Sequence, residues 1–116
     1  MADNESILAS VKRMIGLEYV SAFDNDLITN INSVFMVLNQ LGVGPDNCFA
    51  ITGDSEVWDD FLGYNEDVNA VKTYMYLKVR LMFDPPTSSV VMDAMSRQIN
   101  ELEWRLNVQV DPGDDE

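Results

Sequence analysis

Residues 77–88 read Leu77-Lys78-Val79-Arg80-Leu81-Met82-Phe83-Asp84-Pro85-Pro86-Thr87-Ser88. Here an apolar run studded with cations meets two consecutive prolines. Pro85 disfavours the helical region for Asp84, Pro86 keeps the chain extended, and Thr87 or Ser88 offers a hydroxyl to cap a new helix. The corner Asp84, Pro85, Pro86 and Thr87 therefore joins two helices. The first runs from about Asp67 to Phe83, with Val68, Val71, Met75, Leu77, Leu81 and Met82 apolar and its cations Lys72, Lys78 and Arg80 mostly toward the C-terminal half, where the helix dipole favours them. The second reaches about Leu106 and carries Val91, Ala94, Met95, Gln98, Ile99, Leu102 and Leu106 on its core face.

Upstream of this pair the pattern stays helical. Asp3 or Asn4 is placed to cap a helix with Ile7, Leu8, Val11, Met14 and Ile15 on one face and Gly16 as its stop. Asp24 reads as the cap of another, with Phe23 and Ile28 as a hydrophobic staple and Gly42 as the end. Its apolar face is Leu27, Ile28, Ile31, Val34, Phe35, Leu38 and Leu41, and the opposite stripe is Thr29, Ser33, Met36 and Gln40. No residue from 27 to 41 is charged. A solvent-facing helix normally carries charges outside, so this one is expected to be central to the bundle or covered by another subunit. Residues 42–54 read as a loop with one short strand at Cys48–Ile51, and Ser55–Leu62 as a short helix closed by Gly63. Asn107, Val108, Gln109 and Val110 alternate polar and apolar as an extended strand does, ahead of Pro112, Gly113 and an acidic end. The expected fold is all-α: a small bundle of four to five helices over residues 1–106, with a short loop or strand insertion and an extended acidic C-terminal tail, 107–116.

The 116 residues suffice for one core, and their charge narrows the function. Net charge is −13, and residues 17–67 hold ten acids and no Lys or Arg, whereas residues 68–106 hold five bases and four acids. Such a surface repels phosphate, which argues against affinity for duplex DNA. The longest uncharged stretch, Leu27–Gly44, is interrupted by polar side chains and is not expected to span a membrane. The acidic start lacks a signal-peptide pattern, so the protein is expected to stay where it is made. One cysteine, Cys48, leaves no intrachain disulfide, and the absence of histidine removes the usual zinc ligand and general base, so neither a cofactor nor a metal is expected.

Weak chemical signals have simpler readings. Asp59-Asp60 and the pair Glu101 and Glu103 invite an acid–base site, but neighbouring helix positions diverge, and solvated surface explains them. Asp24-Asn25-Asp26 and Asp54-Ser55-Glu56 lack the glycine and distal glutamate of a calcium loop. Gly42-Val43-Gly44-Pro45 lacks the Gly-Lys-Ser/Thr of a phosphate loop. The helix–corner–helix unit suits a DNA-reading motif in outline only, since its second helix offers just Arg97 and Arg105 among four acids. Trp58, Trp104, Tyr74 and Tyr76 are either core or partner anchors, and core is the reading for most of them. An enzyme is not expected.

Val71-Lys72-Thr73-Tyr74 with Leu77 through Ser88 closely resembles the helix–corner segment of tailed-phage head–tail connector (adaptor) proteins, especially those of phages infecting Gram-positive bacteria. Ile31–Phe35 with Leu38–Gly42, Trp58–Gly63 and Leu102–Asn107 resemble the same family, in its order. The resemblance implies a non-enzymatic virion protein at the head–tail junction, made in the bacterial host cytoplasm, that assembles as a ring of about twelve copies under the portal. Tail-side connector or stopper proteins would dock onto it, and genomic DNA would pass through without specific binding. In that setting, candidate subunit contacts are the uncharged stripe Thr29, Ser33, Met36 and Gln40, and the base-free stretch 17–67 facing Lys72, Lys78, Arg80, Arg97 and Arg105 of a neighbour, and candidate portal contacts are Trp104, Leu106, Val108 and Val110. The alternative, from charge alone, is a small acidic regulator or DNA-mimic decoy that occupies a host protein's DNA site.

Overall fold

A computed structural model describes residues 5–44, 49–61 and 68–110. Among these, five helices form in the order α1 (Ile7–Met14), α2 (Asp24–Gln40), α3 (Trp58–Phe61), α4 (Val68–Phe83) and α5 (Ser89–Val110), with no regular strand. The all-α bundle expected from the sequence is present.

The helix at its centre is α4, not α2. It packs against α1, α2 and α5, and it buries Val71, Tyr74, Met75, Leu77 and Val79, which point to more than one side of the helix. By contrast α2 buries one face, Leu27, Ile31, Val34, Phe35 and Leu38, and leaves its uncharged stripe outside. Phe23 lies edge-on to Phe83 with ring centres 5.3 Å apart, and Asn107 Nδ2 donates to the Leu41 carbonyl at 3.1 Å. These two contacts fix the directions: α2 and α5 both run from the corner end toward the Leu41 end, and α4 runs back between them.

Several boundaries differ from the sequence reading, each for a local reason. Ser6 caps α1, its Oγ accepting from the Ala9 amide, while Asp3 and Asn4 lie outside the described residues. Phe23, not Asp24, is the N-cap of α2; Asp24 is the first helical residue and pairs with Lys12 of α1 at 2.9 Å. The corner ends α4 as expected, and Ser88 Oγ accepts from the Val91 amide at 3.4 Å. Val91, Ala94 and Gln98 are exposed, because α5 meets the core along a narrower stripe: Met95, Ile99, Leu102 and Leu106.

The strand expected at 48–51 is replaced by a side-chain clamp. Asn32 Nδ2 donates to the Ile51 carbonyl at 3.0 Å and Asn32 Oδ1 accepts from the Ile51 amide at 2.8 Å. One amide side chain therefore satisfies both backbone groups that a neighbouring strand would have paired. Cys48 and Pro45 lie outside the described residues, as do Leu62, Gly63 and Asp67. Within the described residues the short helix is Trp58–Phe61, and Ser55–Val57 are not part of it. Residues 107–110 are helical rather than extended, since α5 continues to Val110. Four alternating residues are too few to override a helix already under way, and the nearest stop signal is Pro112. Residues 111–116 lie outside the described ones.

Candidate assembly surfaces

Several residues weighed for chemistry are occupied structurally. Asp60 Oδ2 accepts from the Val57 amide at 3.0 Å ahead of α3. Glu101 pairs with Arg105 at 2.7 Å, whereas Glu103 accepts from the Tyr74 hydroxyl at 2.7 Å, so these two acids diverge. Burial, then the Glu103 hydrogen bond and the Glu103 charge, push the Tyr74 phenol well above its usual range. Burial pushes the Glu56 carboxyl up, but hydrogen bonds from the Thr52 amide and hydroxyl and from the amides of Glu56 and Gly53 outweigh it, holding the group below the usual carboxylate range. A cavity beside Leu8, Lys12, Arg13, Glu18, Asp24 and Asp54 is bridged by the Lys12–Asp24 pair. Among the described residues no cluster of His, Cys, Asp and Glu is arranged to hold a metal, and no helix is long and apolar enough to cross a membrane.

What the molecule presents instead is surface. Thr29, Ser33, Met36 and Gln40 are all exposed, Met36 at 56%. Thr29 and Ser33 turn their hydroxyls back onto the Asn25 and Thr29 carbonyls at 3.1 Å each, which leaves the stripe low in polarity as well as uncharged. Asp26 stands in line with it, also exposed and without an ion pair among the described residues.

The basic candidates fall into two groups. Lys72 pairs with Glu5 at 3.6 Å and lies over the Trp58 ring, Arg80 is tied to the Asp84 carbonyl at 2.9 Å and the Tyr76 hydroxyl at 3.1 Å, and Arg105 holds Glu101. Lys78 lies over the Tyr74 ring without a carboxylate, and Arg97 has no ion pair among the described residues. Lys78 also lines a groove of about 240 Å³ between α4 and α5, with Leu81, Met82, Ser96, Ile99 and Asn100.

The two ends of the bundle differ. Toward the corner end, Tyr19, Val20, Phe23, Met82, Val90 and Val91 are exposed apolar side chains, on the loop before α2 and at the helix ends that flank the corner. Sequence reasoning did not single out Tyr19, Val20 and Val90, which sit in a loop and at the start of α5, and it assigned Val91 to the core face, from which the structure removes it. Toward the other end Trp104 is 67% exposed, while Leu106 is turned into the core at 2%. Leu106 is therefore unavailable to a partner in this fold, being the last of the α5 core positions. Val108 and Val110 fall in the last turn of α5.

No curated protein and no solved structure matches the chain. A family described as phage connector protein matches residues 7–113, a span that runs from the first residue of α1 past the end of α5. This chain belongs to the phage connector protein family, and with it to the structural components of the phage head–tail junction that associate with portal and tail proteins in the virion.

Proposed function

We propose that this chain forms a ring of about twelve copies beneath the portal, linking it to tail-side connector or stopper proteins and lining the passage for DNA during packaging and ejection. The observation that carries this reading is the outer face of α2. It is a helix face of four turns, exposed and without charge from residue 27 to 41, on a chain of net charge −13. Such a face is poorly suited to permanent solvent and well suited to a neighbouring subunit. The ends supply the axial contacts. Trp104 with Val108 and Val110 on the last turns of α5 serve the portal, and the apolar corner end serves the next protein toward the tail. The charge supports the passage role, because an acidic wall does not hold phosphate.

The test is to mix the purified chain with the portal protein of the same phage and image the complex by electron microscopy. A ring coaxial with the portal is the expected outcome. A complex in which single copies bind a host DNA-binding protein, with no ring on the portal, would replace this reading with that of an acidic decoy.

A further inference from the structure

Resting on the ring reading, we infer that the ring closes by laying the outer stripe of α2, from Asp26 to Gln40, into the α4–α5 groove of the next copy, with Met36 over the groove and Asp26 paired to that copy's Lys78. Three observations converge on a second copy of this chain as the occupant.

First, Asp26, Thr29, Ser33, Met36 and Gln40 follow steps of three and four residues, which places them on one line along the helix, all exposed, with a single charge at the corner end. Second, the groove is apolar along Leu81, Met82 and Ile99 and holds one cation, Lys78, that no carboxylate of its own chain neutralises among the described residues. Beside it on α5, exposed Arg97 also lacks an ion pair. Asp26, one of several acids without an ion pair among the described residues and the one in line with the stripe, lies on the base-free stretch 17–67, and Lys78 and Arg97 lie on the stretch 68–106 that carries the bases. Their charges complement between copies rather than within one.

Third, the levels agree. Because α2 and α5 run parallel from the corner end, copies related by rotation about an axis along these helices keep each residue at its own height. The Phe23–Phe83 contact sets the start of α2 beside the end of α4, and at about 1.5 Å per residue Asp26 and Lys78 lie roughly 3 Å and roughly 8 Å from that level. Asp26 is in the first turn of α2, and Lys78 lies little more than one turn from the end of α4. The stripe and the groove are different surfaces of one chain, so the contact is head-to-tail, the kind that closes rings.

The portal-bound assembly provides the test, read as copies of the chain per portal by native mass spectrometry. Wild-type protein is expected to fill the ring. Met36→Asp, which places a carboxylate against the apolar groove, and Asp26→Lys, which sets like charges together, are each expected to weaken filling about tenfold in the protein concentration required. Lys78→Asp is expected to weaken it similarly, and the double variant Asp26→Lys with Lys78→Asp to restore it. Both stripe positions are exposed, so circular dichroism and thermal melting should match wild type, and loss of filling then reports the contact. Full occupancy by Met36→Asp, or no recovery in the double variant, overturns this pairing while leaving the ring intact. If wild-type protein itself leaves the portal bare, the ring reading fails, and the pairing is overturned with it.

Discussion

Trp58 is fully buried, its indole N–H donating to Ser10 Oγ at 2.9 Å, whereas Trp104 is 67% exposed. Ser10 Oγ also donates to the Ile7 carbonyl at 3.3 Å, so one hydroxyl serves two buried groups. Ser10→Ala removes both and leaves the indole N–H without a partner, which is expected to cost about 2 kcal/mol in denaturant unfolding. The exposure of Trp104 was legible: it sits about 200° around the helix from both Leu102 and Leu106, opposite the core stripe. The Ser10 contact was not, since nothing in sequence spacing joins residues 48 apart. Tyr74 gives a second test. Its folded-state pKa lies above the unfolded value, so its contribution is intact below about pH 10 and is lost as the unfolded phenol ionises above that. Tyr74→Phe is expected to cost about 1 kcal/mol at neutral pH, through the lost bond to Glu103. Above pH 10 wild type should lose stability faster than the variant. Parallel stability curves from about pH 9 to pH 11 would contradict the assignment.

The helices and the stops at Gly16, Gly42 and the Asp84–Pro86 corner were readable because periodicity and breakers act locally, whereas the end of α5 and the loops were not, the loops because distant groups complete them. Gly42 and Gly44 were expected only to stop a helix and turn the chain. Gly44 has φ +88°, and a Cβ there would run into the Phe61 ring, itself packed on Phe35 with centres 4.6 Å apart. The glycine is thus required by an aromatic cluster contributed by α2 and α3. Gly16 has a similar φ of +84° but open space around its would-be Cβ. Alanine at Gly16 is expected to cost about 1 kcal/mol from backbone strain alone. At Gly44 the overlap adds to the strain, for about 3 kcal/mol in all. Equal shifts in thermal midpoint for the two variants would show that the Phe61 contact does not matter. The Asn32 clamp on Ile51 was hidden for the same reason: an apolar run of four residues looks like a strand until the side chain that satisfies it is known.

Charge on the whole molecule connects fold to passage. Of seven Lys and Arg residues, Lys12, Arg13, Lys72 and Arg105 are in ion pairs with Asp24, Glu5, Glu5 and Glu101. Arg80 is held by a backbone carbonyl and a tyrosine hydroxyl. Among the described residues only Lys78 and Arg97 are without such partners, and the inferred contact between copies covers the groove beside them. Retention of duplex DNA requires several cations aligned on successive phosphates, each adding to the salt-dependent affinity. Twenty acids spread over the same chain oppose that. The sequence alone showed the imbalance; the structure adds that most of the few cations are already committed. Neither the free chain nor the portal-bound assembly is therefore expected to retain duplex DNA near about 0.15 M salt, where screening acts over roughly 8 Å. Fluorescence anisotropy with a labelled duplex measures this directly, and micromolar affinity at that salt would mean that a basic surface forms which the single chain does not possess.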